Sequence, residues 1–147
     1  MKSLHFAIVI RAPRETVWDV MLAPATYTEW TADFMEGSYY EGSWEQGARM
    51  RFLAPDGNGM VSVIAAHRPH EFLSLKHVGY VKDGAEDTES EMVRSWAPAF
   101  ENYSLSDAGN AMELAVDIDV TPEFEEYMTR VWPMALARLK RLCEARA

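Results

Sequence analysis

Cysteine is nearly missing from this chain: Cys143 is the only one in 147 residues. One cysteine excludes an intramolecular disulfide and any multi-cysteine zinc site, and fits a reducing compartment. Long apolar runs are missing too. Nothing approaches the length of a membrane-spanning helix, and the apolar stretch Leu4 to Ile10 is too short for a secretion signal. Positive charge is scarce, with 14 Lys and Arg against 23 Asp and Glu, a formal net charge of −9. Such a surface repels phosphate backbones and anionic headgroups, so nucleic acid and membrane insertion are excluded as expected partners. The expected location is the cytoplasm.

Catalytic signatures are also sparse. There is no Gly-x-Ser-x-Gly motif, and Cys143 sits between Leu139 and Leu142 on a helical stripe, where a buried thiol is inert. His67 and His70 are three apart, but Pro69 makes their segment a corner, and no carboxylate or third histidine joins them; no metal is expected. The glycines at 42, 47, 57 and 59 do not open a helix after a strand, so they form no phosphate cradle. No cofactor is expected.

What is present is patterning. Met112, Leu114, Val116, Ile118 and Val120 alternate with Glu113, Asp117 and Asp119, the period of a strand with one wet face. The period then changes: Phe124, Met128, Val131, Trp132, Ala135, Leu139 and Leu142 recur every three or four residues, predicting one long amphipathic helix over Pro122 to Glu144. Upstream, Leu4 to Ile10 alternates as a first strand. Pro13 suits a first helical turn, with Val17, Trp18, Met21 and Leu22 on its apolar side, and Pro24 opens a second short helix carrying Tyr27 and Trp30. Further strands are predicted at Phe34 to Trp44, Arg49 to Leu53, Met60 to His67, Phe72 to Val81 and Ala99 to Leu105. The acidic stretch Lys82 to Trp96 reads as a solvated loop, and Pro133 should kink the last helix. Together these predict one α+β domain over residues 1–147: a curved antiparallel sheet of about seven strands wrapped on the C-terminal helix.

Several segments carry a family likeness. Ala12-Pro13 with Val17-Trp18, Tyr27 and Trp30 in YTEW, Trp44 and Gly47 in WEQG, Phe100 to Leu105 (FENYSL) and Tyr127 to Lys140 are the matching residues. They resemble the helix-grip superfamily (birch-pollen-allergen-like, START or SRPBCC), and within it the bacterial branch named after the activator of the heat-shock ATPase (AHSA-like). The resemblance spans about Leu4 to Leu142. It implies an apolar ligand between sheet and final helix, walled by Trp132, Met128, Phe124 and Ala135 above and Met112, Leu114 and Val116 below. It also leaves open a cyclase- or dehydratase-type enzyme, or a co-chaperone-like module with a protein partner. A monomer or weak homodimer is expected.

Polar candidates for that inner surface follow from strand parity. His77 shares parity with Leu73 and Leu75; Glu101 and Tyr103 share parity on the next strand of the sheet. A histidine, a carboxylate and a phenol in an apolar pocket could orient a ligand or move protons, or form only a satisfied hydrogen-bond cluster. Tyr39, Tyr40 and Trp44 lie at mixed parity on one predicted strand, so some should face outward and could offer a partner surface.

Overall fold

A computed structural model describes residues 1–146; the expected domain limit, Ala147, lies outside the described residues. In chain order the elements are β1 (Lys2–Ile10), α1 (Arg14–Leu22), α2 (Pro24–Trp30), a 3-10 turn (Thr31–Asp33), β2 (Tyr39–Gly42), β3 (Arg49–Leu53), β4 (Gly59–Arg68), β5 (Phe72–Lys82), β6 (Ala85–Asp87), α3 (Glu91–Arg94), β7 (Ala99–Ala108), β8 (Ala111–Val120) and α4 (Pro122–Glu144). All strand pairs are antiparallel. Seven strands follow the continuous order β1-β8-β7-β5-β4-β3-β2, and an eighth, β6, pairs with the end of β5. The sheet curves around α4, with α1 and α2 packed at one end; no helix among the described residues is long and apolar enough to cross a membrane.

Helix α4 spans the residues its apolar period predicts and continues through Pro133 unbroken. Pro133 lies on the exposed face, where the carbonyl deprived of its partner can turn to water. The buried stripe is Val131, Trp132, Ala135, Leu136, Leu139 and Cys143. Its C-terminal part lies over β1 and β8, and its position is pinned at the side. Arg138 donates from Nε and Nη2 to the two Asp33 carboxylate oxygens at 3.0 and 3.1 Å, and the Tyr127 hydroxyl donates to the Phe34 carbonyl at 2.5 Å.

Two regions depart from the sequence expectations. The predicted strand from Phe34 to Trp44 is mostly a turn, with only Tyr39–Gly42 in the sheet. Gly37 takes a φ of +84° there, which breaks the extended run. Its aromatics form no outward patch: Tyr40 and Trp44 both donate to the Leu22 carbonyl, at 2.6 and 3.2 Å, and Tyr39 packs on Leu53 and its neighbours.

The acidic stretch is the second departure: most of its residues are exposed, as expected, but it forms a short strand and a helical turn rather than a loop. Asp83 and Gly84 both take positive φ and connect the paired residues Lys82 and Ala85 as a two-residue hairpin. Ser90 then caps α3 by accepting from the Val93 amide, and Val93 and Trp96 are buried against Met60 and Tyr80. Gly79 is needed for this arrangement: a Cβ on it would lie 2.1 Å from the Asp87 carbonyl oxygen. Glu86 holds the segment to the neighbouring face of the sheet, accepting from Arg49 at 2.7 Å and Arg51 at 2.8 Å.

Those two guanidinium hydrogen bonds hold the Glu86 carboxyl below its usual value of 4.5. A lowered folded-state value means stabilisation that is complete above the ordinary carboxyl range and lost as pH falls through the lowered value. Glu86→Gln should therefore cost about 1 kcal/mol near neutrality, with the difference from wild type shrinking in acid. Urea denaturation of both proteins at pH 7 and pH 3 checks this; an equal difference at both would contradict it.

Candidate functional site

Between the sheet and the N-terminal half of α4 lies a cavity of about 370 Å³. Its roof is Phe124, Met128 and Trp132, one stripe of α4. Tyr27 and Trp30 from α2, with Phe34 beyond it, close one end, and Trp44 and Phe52 stand at the side. Leu73, Leu75 and His77 from β5 and Glu101 and Tyr103 from β7 make the floor. At the other end, Met60, Tyr80 and Ala99 from the sheet join the wall with Trp96, which comes from the segment that reads as loop in the sequence.

The cavity stops at Trp132. Its indole, 3% exposed, packs against Phe6 on the filled side and against Trp30, Phe34 and Tyr103 on the cavity side, with ring centroids 4.9 to 6.2 Å apart. This divides the seven apolar wall residues that the resemblance implied. Trp132, Met128 and Phe124 line the cavity, Phe124 with nearly half its surface open. Ala135, Met112, Leu114 and Val116 do not line it; all four are buried in the continuous core. Leu114 and Val116 pair with Ile8 and Phe6 on β1, and Met112 lies further along with Ile10.

The polar candidates converge. His77 on β5 and Glu101 on β7 lie diagonally across adjacent strands, with Leu75 paired to Glu101 and His77 to Ala99. His77 Nε2 is 3.0 Å from Glu101 Oε1, and the Tyr103 hydroxyl donates to Glu101 Oε2. On the other side, His77 Nδ1 is 2.6 Å from the Ser62 hydroxyl. Ser62 is fully buried behind the imidazole and does not line the cavity, so it holds the ring rather than meeting a ligand. With both ring nitrogens engaged, the orientation of His77 is fixed from two strands. The Glu101 side chain is 22% exposed against 10% for His77, making the carboxylate the more open group on the floor.

Bulge placement explains why these side chains share a face. Val61 pairs with Gly79 and Ser62 with His77, leaving Val78 as the extra residue. Before the bulge, Leu73, Leu75 and His77 point inward. After it, Tyr80 joins the cavity wall while Val81 packs with Leu53 and Val61 in a separate cluster.

Burial and then the adjacent Glu101 charge push the phenols of Tyr103 and Tyr27 well above the usual range. Both stay protonated donors at neutral pH. Cys143 is buried far along α4, and its thiol is pushed up to about 12 by burial, so it is no nucleophile. Trp96 contributes a different feature: its Nε1 is buried with no hydrogen-bond partner among the described residues.

Sequence parity selected His77, Glu101 and Tyr103. It missed Ser62, whose signal was a hydroxyl at the same parity as buried Ile64, and the aromatic wall of Tyr27, Trp30, Trp44 and Phe52.

No family model and no curated protein sequence matches the chain. Solved structures do. Protein MLL2253 from Mesorhizobium loti superposes with a TM-score of 0.74 at 17% identity, covering 99% of each chain. The Aha1 dimer from Colwellia psychrerythraea gives 0.74 at 16% identity, over 98% of this chain and 97% of that one. CalU16 from Micromonospora echinospora gives 0.67 at 18% identity, over 98% and 77%. Identities this low speak for architecture and not for activity. The curved antiparallel sheet, the short helices after β1 and the long closing helix give this chain the helix-grip fold that these structures share.

Proposed function

We propose that the protein, acting as one domain over residues 1–147, binds a small apolar or amphipathic molecule in the cavity beneath the first half of α4. The observation that carries this reading is a preformed space of about 370 Å³, aromatic and aliphatic on nearly every side, with one polar cluster on its floor. Pockets of this size and character favour ligands that gain affinity from buried area, at roughly 25 cal/mol per Å². Flexible Met128 and half-open Phe124 stand where a ligand would pass. Weak self-association belongs to the same reading, supported by the dimer described for the Colwellia protein of this fold.

A neutral solvatochromic dye should bind at a single site and brighten. Met128→Trp, which places an indole into the space from a half-buried helix position, should abolish that signal with the melting temperature retained. Absence of dye binding by the wild type, or equal binding by Met128→Trp, would defeat the reading.

The hydrogen-bonded run Ser62–His77–Glu101–Tyr103 favours a second reading, acid–base chemistry on the bound molecule. Glu101 is its base, His77 and Tyr103 steady the carboxylate, and Ser62 positions His77. Under this reading an apolar ketone held in the cavity exchanges its α-hydrogens with deuterated solvent faster in the presence of wild type than of Glu101→Gln. Equal exchange rates would remove the enzyme reading and leave the binding one intact.

A further inference from the structure

The charges around the cavity narrow the chemistry of what it holds. We propose that the ligand's polar end is a hydrogen-bond donor, a protonated amine above all, received by the Glu101 carboxylate, and that free carboxylic acids are rejected. This rests on the binding reading above and specifies the ligand for that same site.

Glu101 accepts one hydrogen bond at each oxygen, from His77 and from Tyr103. A carboxylate has about four acceptor positions, so capacity remains on the side open to the cavity. Filling that side with hydrocarbon would strip the carboxylate of water and return nothing. A donor placed there avoids it.

No lysine or arginine side chain lines the cavity among the described residues, whereas the Glu101 carboxylate lies on its floor. His77 cannot take up an anion, since both ring nitrogens are already engaged by Ser62 and Glu101. The unpartnered Trp96 Nε1 is a neutral donor packed with Val93 and Ala99, and a single neutral N–H does not balance a buried carboxylate. A ligand anion would therefore face the like charge of Glu101 with no lysine or arginine side chain beside it, an arrangement that disfavours it. A cation gains twice, from the carboxylate and from the aromatic walls. Tyr27, Trp44 and Phe52 line the space together, with centroids 5.7 to 6.4 Å apart, and aromatic faces attract ammonium groups.

Three probes with one ten-carbon tail test this: decylamine, decanol and decanoate, each displacing the neutral dye at pH 8 in 0.15 M salt, where surface attraction is screened. The expected order is amine, alcohol, acid, with at least tenfold between amine and acid. In Glu101→Gln, amine affinity should fall and acid affinity rise, closing the gap to within about threefold. Decanoate binding as tightly as decanol in the wild type would overturn the proposal whether or not the variant folds, and would leave the cavity as a binding site. An unchanged spread in folded Glu101→Gln would overturn it too, by assigning the preference to overall charge. Failure of all three probes and the dye would remove the binding reading beneath it.

Discussion

The packing of Trp132 between Phe6 and the Trp30–Phe34–Tyr103 group is the contact on which the arrangement depends. On one side of the indole, α4 lies directly on β1 and β8 and fills the space with Ala135, Leu136 and Leu139. On the other side, the same helix roofs a hollow with Met128 and Phe124. One amphipathic stripe thus performs two tasks, and a large, nearly fully buried ring marks where one ends and the other begins. Aromatic side chains suit this position because they bury much area while remaining rigid. The bonds from Arg138 to Asp33 and from Tyr127 to the Phe34 carbonyl keep the roof at a fixed height above the floor.

Beneath that roof the polar chemistry is local and completely connected. Four side chains from three adjacent strands form one chain of hydrogen bonds, and only its middle and far end face the hollow. Burying a carboxylate is costly unless it is hydrogen-bonded, and this one is bonded at both oxygens. The sheet supplies the geometry: antiparallel register places Glu101 and His77 two residues apart along the strands, and the β5 bulge falls one residue beyond His77. A bulge one position earlier would have turned the imidazole to the opposite face.

Much of this was legible in the residues. Strict alternation in Met112 to Val120 and Leu4 to Ile10 gave two strands that pair edge to edge, and the change of period at Thr121 marked the start of α4. Parity alone grouped His77 with Leu73 and Leu75, and Glu101 with Tyr103. The division of the apolar stripe was not legible, because Ala135 and Met128 are equivalent by period. Which of them meets a cavity depends on where the sheet bends away, a property of strands far off in sequence. Acidic composition misdirected the reading of Lys82 to Trp96. Asp83-Gly84 is a strong hairpin signal, yet five carboxylates nearby suggested solvent exposure, and the buried Val93 and Trp96 were obscured by them. In the Phe34 to Trp44 run, aromatic residues with high strand propensity concealed a turn set by Gly37.

On the proposed function, the hollow on one side of Trp132 receives a ligand while the core on the other side stays closed. The distribution of tryptophan makes this directly observable. Trp30, Trp44, Trp96 and Trp132 line the cavity, whereas Trp18 is buried on α1 beside His67 and His70. Fluorine NMR of protein labelled with 5-fluorotryptophan, titrated with a neutral apolar probe, should shift the Trp30, Trp44 and Trp132 resonances together and leave Trp18 in place. Spectra unchanged at saturating probe, or a Trp18 resonance that moves as far as Trp132, would contradict the account.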